Sequence, residues 1–181
     1  MDTWVWVAIA IVVVIVLAAI ALSARSRSRR HGLHERFGDE YERSVTSADS
    51  RRAAERELRE REAEHDELDL RPLSSAARER YEQDWSELQS RFVDRPQIAV
   101  ADADDLVTQV MRERGYPVDD FEAKSRLVSV DHPDVVQNYR AGHAIYVKTV
   151  EGSADTEDLR QAVVSYRALF EELVREGADN N

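Results

Sequence analysis

From Trp4 to Leu22 the chain runs for nineteen residues without a polar or charged side chain: twelve are Val, Ile or Leu, five are Ala and two are Trp. A helix of that length rises about 28 Å, close to the ~30 Å hydrocarbon core of a bilayer. Backbone groups in lipid are satisfied only within a helix or a closed barrel, so the pattern predicts a transmembrane helix. Its anchoring residues are Trp4, Trp6, Val13 and Leu22, with the tryptophans suited to the interfacial belt. The alternative is a cleaved signal peptide, because Ala19, Ile20 and Ala21 form an A-x-A pattern. Against it, no basic residue precedes the run, and the run exceeds the usual length of roughly 7 to 15 residues. Arg25, Arg27, Arg29 and Arg30 follow the run, where they would meet anionic lipid headgroups. The positive-inside rule then predicts a single-pass protein of the cell membrane, N-terminus outside and C-terminal domain cytoplasmic.

Charge divides the chain at the same place. Residues 1–36 hold five arginines against Asp2 and Glu35, a net of +3, so residues 37–181 carry −14 of the overall −11. So acidic a domain repels phosphate backbones, which argues against nucleic acid as a partner. The sequence has no cysteine, excluding disulfides, thiolate zinc sites and cysteine nucleophiles together.

Beyond the arginines, Phe37, Tyr41 and Val45 recur every four residues as a short amphipathic turn. Ser50 and its neighbours offer caps for residues 51–67, RRAAERELREREAEHDE, which are rich in helix formers and in acid-before-base pairs such as Glu57 with Arg61. The apolar content there is thin (Ala54, Leu58, Leu68), so a solvated charged helix is expected, ended by Pro72. The next stretch carries apolar stripes at helical spacing. Ala77, Tyr81, Trp85, Leu88 and Phe92 form one; Ala99, Ala103, Leu106, Val107, Val110 and Met111 form another, closed by Gly115 as its C′ residue. A short helix is expected from Asp120 to Val128. Another opens at Pro133 and carries Val135, Val136, Tyr139, His143, Tyr146, Val147 and Val150. The last, capped at Thr156, repeats Leu159, Val163, Tyr166, Phe170 and Leu173. Ile98–Val100 and Ala144–Val147 resemble strands in composition alone.

The fold expected is therefore all-α: an anchor (1–24), a basic juxtamembrane segment (25–36), a charged helical stalk (37–73), a small helical bundle (74–177) and a short tail (178–181). The seam of the last helix covers little more than two heptads, which suits internal packing and leaves a homo-oligomer open.

Signatures of catalysis are missing: there is no Gly-rich phosphate loop, no GxSxG and no HExxH. Glu62 and His65 make one ExxH pair where di-iron bundles need two. His31 and His34 share a face without companion carboxylates. Asp102, Asp104 and Glu113 match three calcium-loop positions, but Val107 stands where the glycine should be. No catalytic, cofactor or metal residues are assigned. His143 lies between Tyr139 and Tyr146 in its stripe, so His143, Tyr139 and Tyr166 are the candidates for a ligand pocket.

The segment Arg36-Phe37-Gly38-Asp39-Glu40-Tyr41, the charged stretch from Arg51 to Leu73, RYEQDWSELQSRFVD from Arg80, MRERGYPVDDFE from Met111 and EDLRQAVVSYRALFEEL from Glu157 together resemble a group of actinobacterial membrane or secreted proteins of unknown function. That resemblance implies no activity and no catalytic residues. Three roles fit the sequence. The leading one is a non-enzymatic interaction or adaptor protein, with the lipid bilayer and a protein as partners. The others are a small-ligand sensor or enzyme with a pocket inside the bundle, and an extracytoplasmic structural protein.

Overall fold

A computed structural model of the chain describes Trp4, Val16, Leu17 and residues 31–176. Within them lie α1 (31–37), α2 (Asp39–Ser47), α3 (Arg51–Asp66), α4 (Ser75–Phe92), α5 (Pro96–Arg114), α6 (Phe121–Asp131), α7 (Pro133–Val150) and α8 (Thr156–Arg175), with no strand among the described residues. The all-α expectation holds, and both strand-like stretches lie inside helices, in α5 and α7.

The localisation requires correction. Among the described residues no helix is long and apolar enough to cross a membrane, so a single-pass membrane protein is not supported. The longest described helix, α8, has twenty residues but carries charge throughout its outward face, from Glu157 and Arg160 to Glu172 and Arg175. Of the expected anchor, Trp6, Val13 and Leu22 lie outside the described residues, as do Arg25, Arg27, Arg29 and Arg30.

Helix boundaries follow local chemistry. Ser50 Oγ accepts from the Ala53 N–H at 3.2 Å, Ser74 Oγ from Ala77 at 3.1 Å, and Asp120 Oδ1 from Ala123 at 2.7 Å, each satisfying a first-turn donor. The last helix is capped one residue before the expected Thr156: Asp155 and Asp158 exchange bonds with each other's backbone N–H as a reciprocal box. A carboxylate serves there better than a hydroxyl because it also meets the positive end of the dipole. Pro96 and Pro133 open α5 and α7, where a missing N–H costs nothing. Gly115 ends α5 with φ +101°, and a Cβ there would lie 2.5 Å from the Asp69 carbonyl oxygen, so both torsion and space demand glycine. The α6 helix outruns its expected end at Val128 by three residues, to Asp131.

Packing centres on α5, which contacts α4, α7 and α8, while α7 also pairs with α8. Their stripes merge into one apolar core around Leu88, Val100, Val107, Met111, Leu127, Tyr139, Tyr166 and Leu169. Gly142 lets α7 approach α8 closely, since a Cβ would stand 3.3 Å from the Tyr166 ring.

A second, smaller cluster joins Leu33, Phe37, Tyr41, Leu58 and Val130. It exists because α3 is no free spacer: it packs on α2 and α6 and buries Ala54, Glu55, Leu58, Arg61 and His65. The expected solvated face is its other side, with Arg52, Arg56, Arg59 and Glu60 exposed. Glu40, 0% exposed, is the fastener. Its carboxylate accepts two bonds from Arg140 (2.7 and 2.8 Å), one from Arg61 (3.0 Å) and one from Gln137 (2.8 Å). Arg61 in turn donates to Ser129 at 2.7 Å and to Glu57 at 2.7 Å. Burial pushes the Glu40 carboxyl up, but Arg140 and Arg61 outweigh it and hold the group below the usual carboxylate range. One buried anion thereby ties α2 to α3, α6 and α7.

Candidate functional site

Two helices that share a neighbour without closing on one another leave a cleft. Both α4 and α8 pack against α5, and between them runs a groove of about 550 Å3, within the range usual for ligand sites. The α4 wall is Arg78, Glu82, Trp85, Ser86 and Gln89; the α8 wall is Arg167, Phe170, Glu171, Val174 and Arg175. Each set repeats at helical spacing, so two ridges face each other across the cleft. The α4 stripe from Arg78 to Gln89 covers about 16 Å, three helical turns. The Trp85 and Phe170 rings stack between the walls, centroids 4.6 Å apart at 24°.

Most charge on the rim is already paired. Arg167 Nε lies 2.6 Å from Glu171 and Arg175 Nη2 lies 2.6 Å from Glu172. Two donors are not: Trp85 Nε1 and Arg78 Nε are buried and have no hydrogen-bond partner among the described residues. Trp85 as a whole is 5% exposed. A buried N–H without an acceptor is costly, and among the described residues six further buried side-chain atoms without a hydrogen-bond partner lie outside the cleft.

The expected pocket residues lie elsewhere. Tyr139 and Tyr166 are fully buried, their rings edge-on with centroids 6.0 Å apart. Tyr166 donates to Asp104 Oδ1 at 2.9 Å, and His143 Nδ1 stands 3.6 Å from the same oxygen. Phe121 lies flat on the His143 ring at 3.6 Å. The structure thus brings His143, Tyr139 and Tyr166 together around one carboxylate, but none of the three lines either described cavity. Burial drives both tyrosine hydroxyls far above their ordinary range, with Asp104 adding to the effect, so they stay protonated. Burial also pushes Asp104 up, while His143, Tyr166 and the Lys124 ammonium outweigh it and keep it ionised. Held neutral phenols and a held carboxylate make a packed polar joint of α5, α7 and α8.

The motif candidates come apart. Glu62 pairs with Arg36 at 2.6 Å while His65 faces Asp131 at 2.6 Å, so the ExxH pair shares no target. His31 meets Glu35 at 3.3 Å. Asp102 goes to Arg91, Asp104 to Tyr166, and Glu113 to Arg80 and Tyr81. Among the described residues no group of His, Asp or Glu is placed to hold a metal.

Another cluster had no sequence signal, because its members are far apart in the chain. Tyr116 Oη donates to Asp131 Oδ2 at 3.0 Å beside His65, and His132 Nε2 lies 3.0 Å from Glu176, which also pairs with Arg114. These bonds clamp α3, α5, α6 and the end of α8 together. The groove was equally hidden: Trp85 and Phe170 were visible as core positions, but nothing in their spacing says that two stripes on different helices flank an unfilled cleft. Comparison with protein families, with curated proteins and with solved structures finds no match for this chain, so the groove geometry carries the functional reading.

Proposed function

We propose that this protein is a helical interaction module that receives one helix of a protein partner in the groove between α4 and α8. The observation that carries the reading is the cleft itself: two facing ridges at helical spacing, floored by the Trp85–Phe170 stack, with a buried indole N–H lacking an acceptor. A partner helix would lie along the two ridges, meeting the exposed Ser86 and Gln89 of α4 and Arg167 and Glu171 of α8, the helix-in-groove mode of recognition. Recognition by strand addition would need a sheet edge to join, and the described residues contain no strand.

Site-specific photocrosslinking in the native cell tests this. The photoreactive residue is placed at Ser86 or Gln89 in the groove, or at Arg59 on the exposed face of α3, and the crosslinked peptide is sequenced. A discrete segment with apolar residues at helical spacing, joined at Ser86 and Gln89 but not at Arg59, supports the reading. Equal labelling from all three positions, or none from the groove, rejects it.

A further inference from the structure

Helix α3 docks through one face, and the opposite face carries charge that the fold does not use. Arg52, Arg56 and Arg59 are exposed there at positions i, i+4 and i+7. That spacing sets them one above another along about 10 Å of helix. Arg51 is exposed beside them in the first turn. None of the four has an ion pair among the described residues. Other arginines are engaged, such as Arg91 with Asp102 and Arg126 with Glu64, while the unpaired Arg95 and Arg112 stand singly.

Local structure does not account for the stripe. Glu55, one turn before Arg59, is the acid placed to pair with it, but it is buried and accepts from the Tyr41 hydroxyl at 3.2 Å. Glu60, one turn after Arg56, stands in the weaker order, and no bridge joins the two. Arg51 and Arg52 occupy the first turn, where the positive end of the dipole opposes them; α2, α6, α7 and α8 carry acid at that position. Three guanidiniums in register repel one another, and carboxylates at the same spacing would relieve all three through fork-like bonds.

We infer that the exposed arginine stripe of α3 is a second docking surface, which takes a partner-protein helix bearing Asp or Glu at i, i+4 and i+7. The stripe gives way to the exposed Glu60 after about 10 Å, and residues 37–181 carry −14, so a long polyanion such as nucleic acid would be repelled beyond it. Since α3 does not line the α4–α8 groove, this surface is independent of the docking reading. A segment crosslinked at Arg59 would differ from the one crosslinked at Ser86 and Gln89.

The test is fluorescence anisotropy of labelled, stapled helices titrated with the full chain. One peptide bears Glu at i, i+4 and i+7, another scatters the same three Glu around the helix, and a third bears Gln in their place. The aligned-Glu peptide is expected to bind about thirtyfold tighter than the Gln peptide, since three exposed ion pairs contribute roughly threefold each, and the scattered one should fall between. Arg56→Gln should weaken the aligned peptide about threefold, and Arg52→Gln, Arg56→Gln and Arg59→Gln together should remove its advantage, with thermal unfolding unchanged. Replacing Arg25, Arg27, Arg29 and Arg30 by Gln should leave that advantage intact. Equal binding of the aligned and scattered peptides overturns the inference. So does an advantage that survives the triple substitution or Arg56→Gln alone, or one that is lost with the other four arginines. A labelled single-stranded oligonucleotide that binds more tightly than the aligned peptide, through the same three arginines, overturns it in favour of nucleic acid. Self-association in sedimentation that the triple substitution abolishes overturns it in favour of a second copy of this chain.

Discussion

The region built on α4, α5, α7 and α8 and the region built on α1, α2 and α3 are held by different physics. The first buries twenty-five apolar residues in one cluster, the second five. Where apolar area is plentiful, helices find their places by shape and the hydrophobic effect supplies most of the stability. Where it is scarce, orientation passes to directional bonds, and Glu40 with Arg61, Arg140 and Gln137 sets how α2 and α3 lie on α6 and α7. The comparison teaches that charge-rich helices can still dock, provided their ions are buried in a fully bonded set.

Removing the anion is the most severe way to break the contrast. Glu40→Ala leaves Arg61 and Arg140 facing each other without their carboxylate, and we expect a loss of roughly 3–5 kcal/mol in urea unfolding. A cost below about 1 kcal/mol would show that charge does not fasten this region. Replacing Glu40, Arg61 and Arg140 together by Leu, Met and Met should recover most of that loss, because no ion is then stranded.

Cavity formation should sort the two regions next. Leu169 and Leu58 are both fully buried, yet Leu169→Ala in the dense core is expected to cost about 4 kcal/mol, against about 2 for Leu58→Ala, where α3 has room to settle. Equal costs would show that the two regions are equally close-packed. Gly142→Ala comes below these, at about 1–3 kcal/mol by thermal unfolding, because the new methyl meets the Tyr166 ring where α7 crosses α8.

The smallest effect is the pH dependence of the clamp between the regions. His65 is raised above its ordinary 6.5, mainly by its bond to Asp131. Its contribution is therefore complete below 6.5 and is lost as pH rises through the raised value. Glu176 is lowered to about 2, mainly by His132 and, against the effect of burial, by Arg114. That contribution is complete above its ordinary 4.5 and is lost as pH falls toward 2. Asp131, whose burial is outweighed by His65, loses its contribution in the same acid direction. Melting temperature should accordingly fall as pH rises above 6.5 through the raised His65 value, and His65→Gln should flatten that alkaline limb while leaving the acid limb from Glu176 in place. An unchanged alkaline limb in His65→Gln would remove His65 from the clamp.

Several elements were legible in the sequence because their causes are local. The stripes of α4, α5, α7 and α8, the proline opening α7, Ser50 as a cap and Gly115 as a stop all depend on residues within a turn or two of each other. The burial of α3 was not legible. Arg61 and Glu40 look like solvated charges until their partners arrive from α6 and α7, a hundred residues away in the case of Arg140. The choice of Asp155 over Thr156 as the cap of α8 was a near miss between adjacent residues able to do the same work. Tyr139, His143 and Tyr166 meet around Asp104, yet their spacing in the sequence says nothing about whether such a place is open or filled.

By itself the sequence determined that the described residues are helical, where most of their helices begin and end, and that cysteine chemistry is absent, because propensity, capping and residue inventory are properties of short segments or of the whole composition. Only the tertiary structure decided that a charged helix would bury its glutamate-bound arginine, and that α4 and α8 would flank α5 and leave a cleft with two donors unmet. Those outcomes depend on which distant surfaces meet, and hydrophobic patterning specifies that a face must be covered without specifying by what.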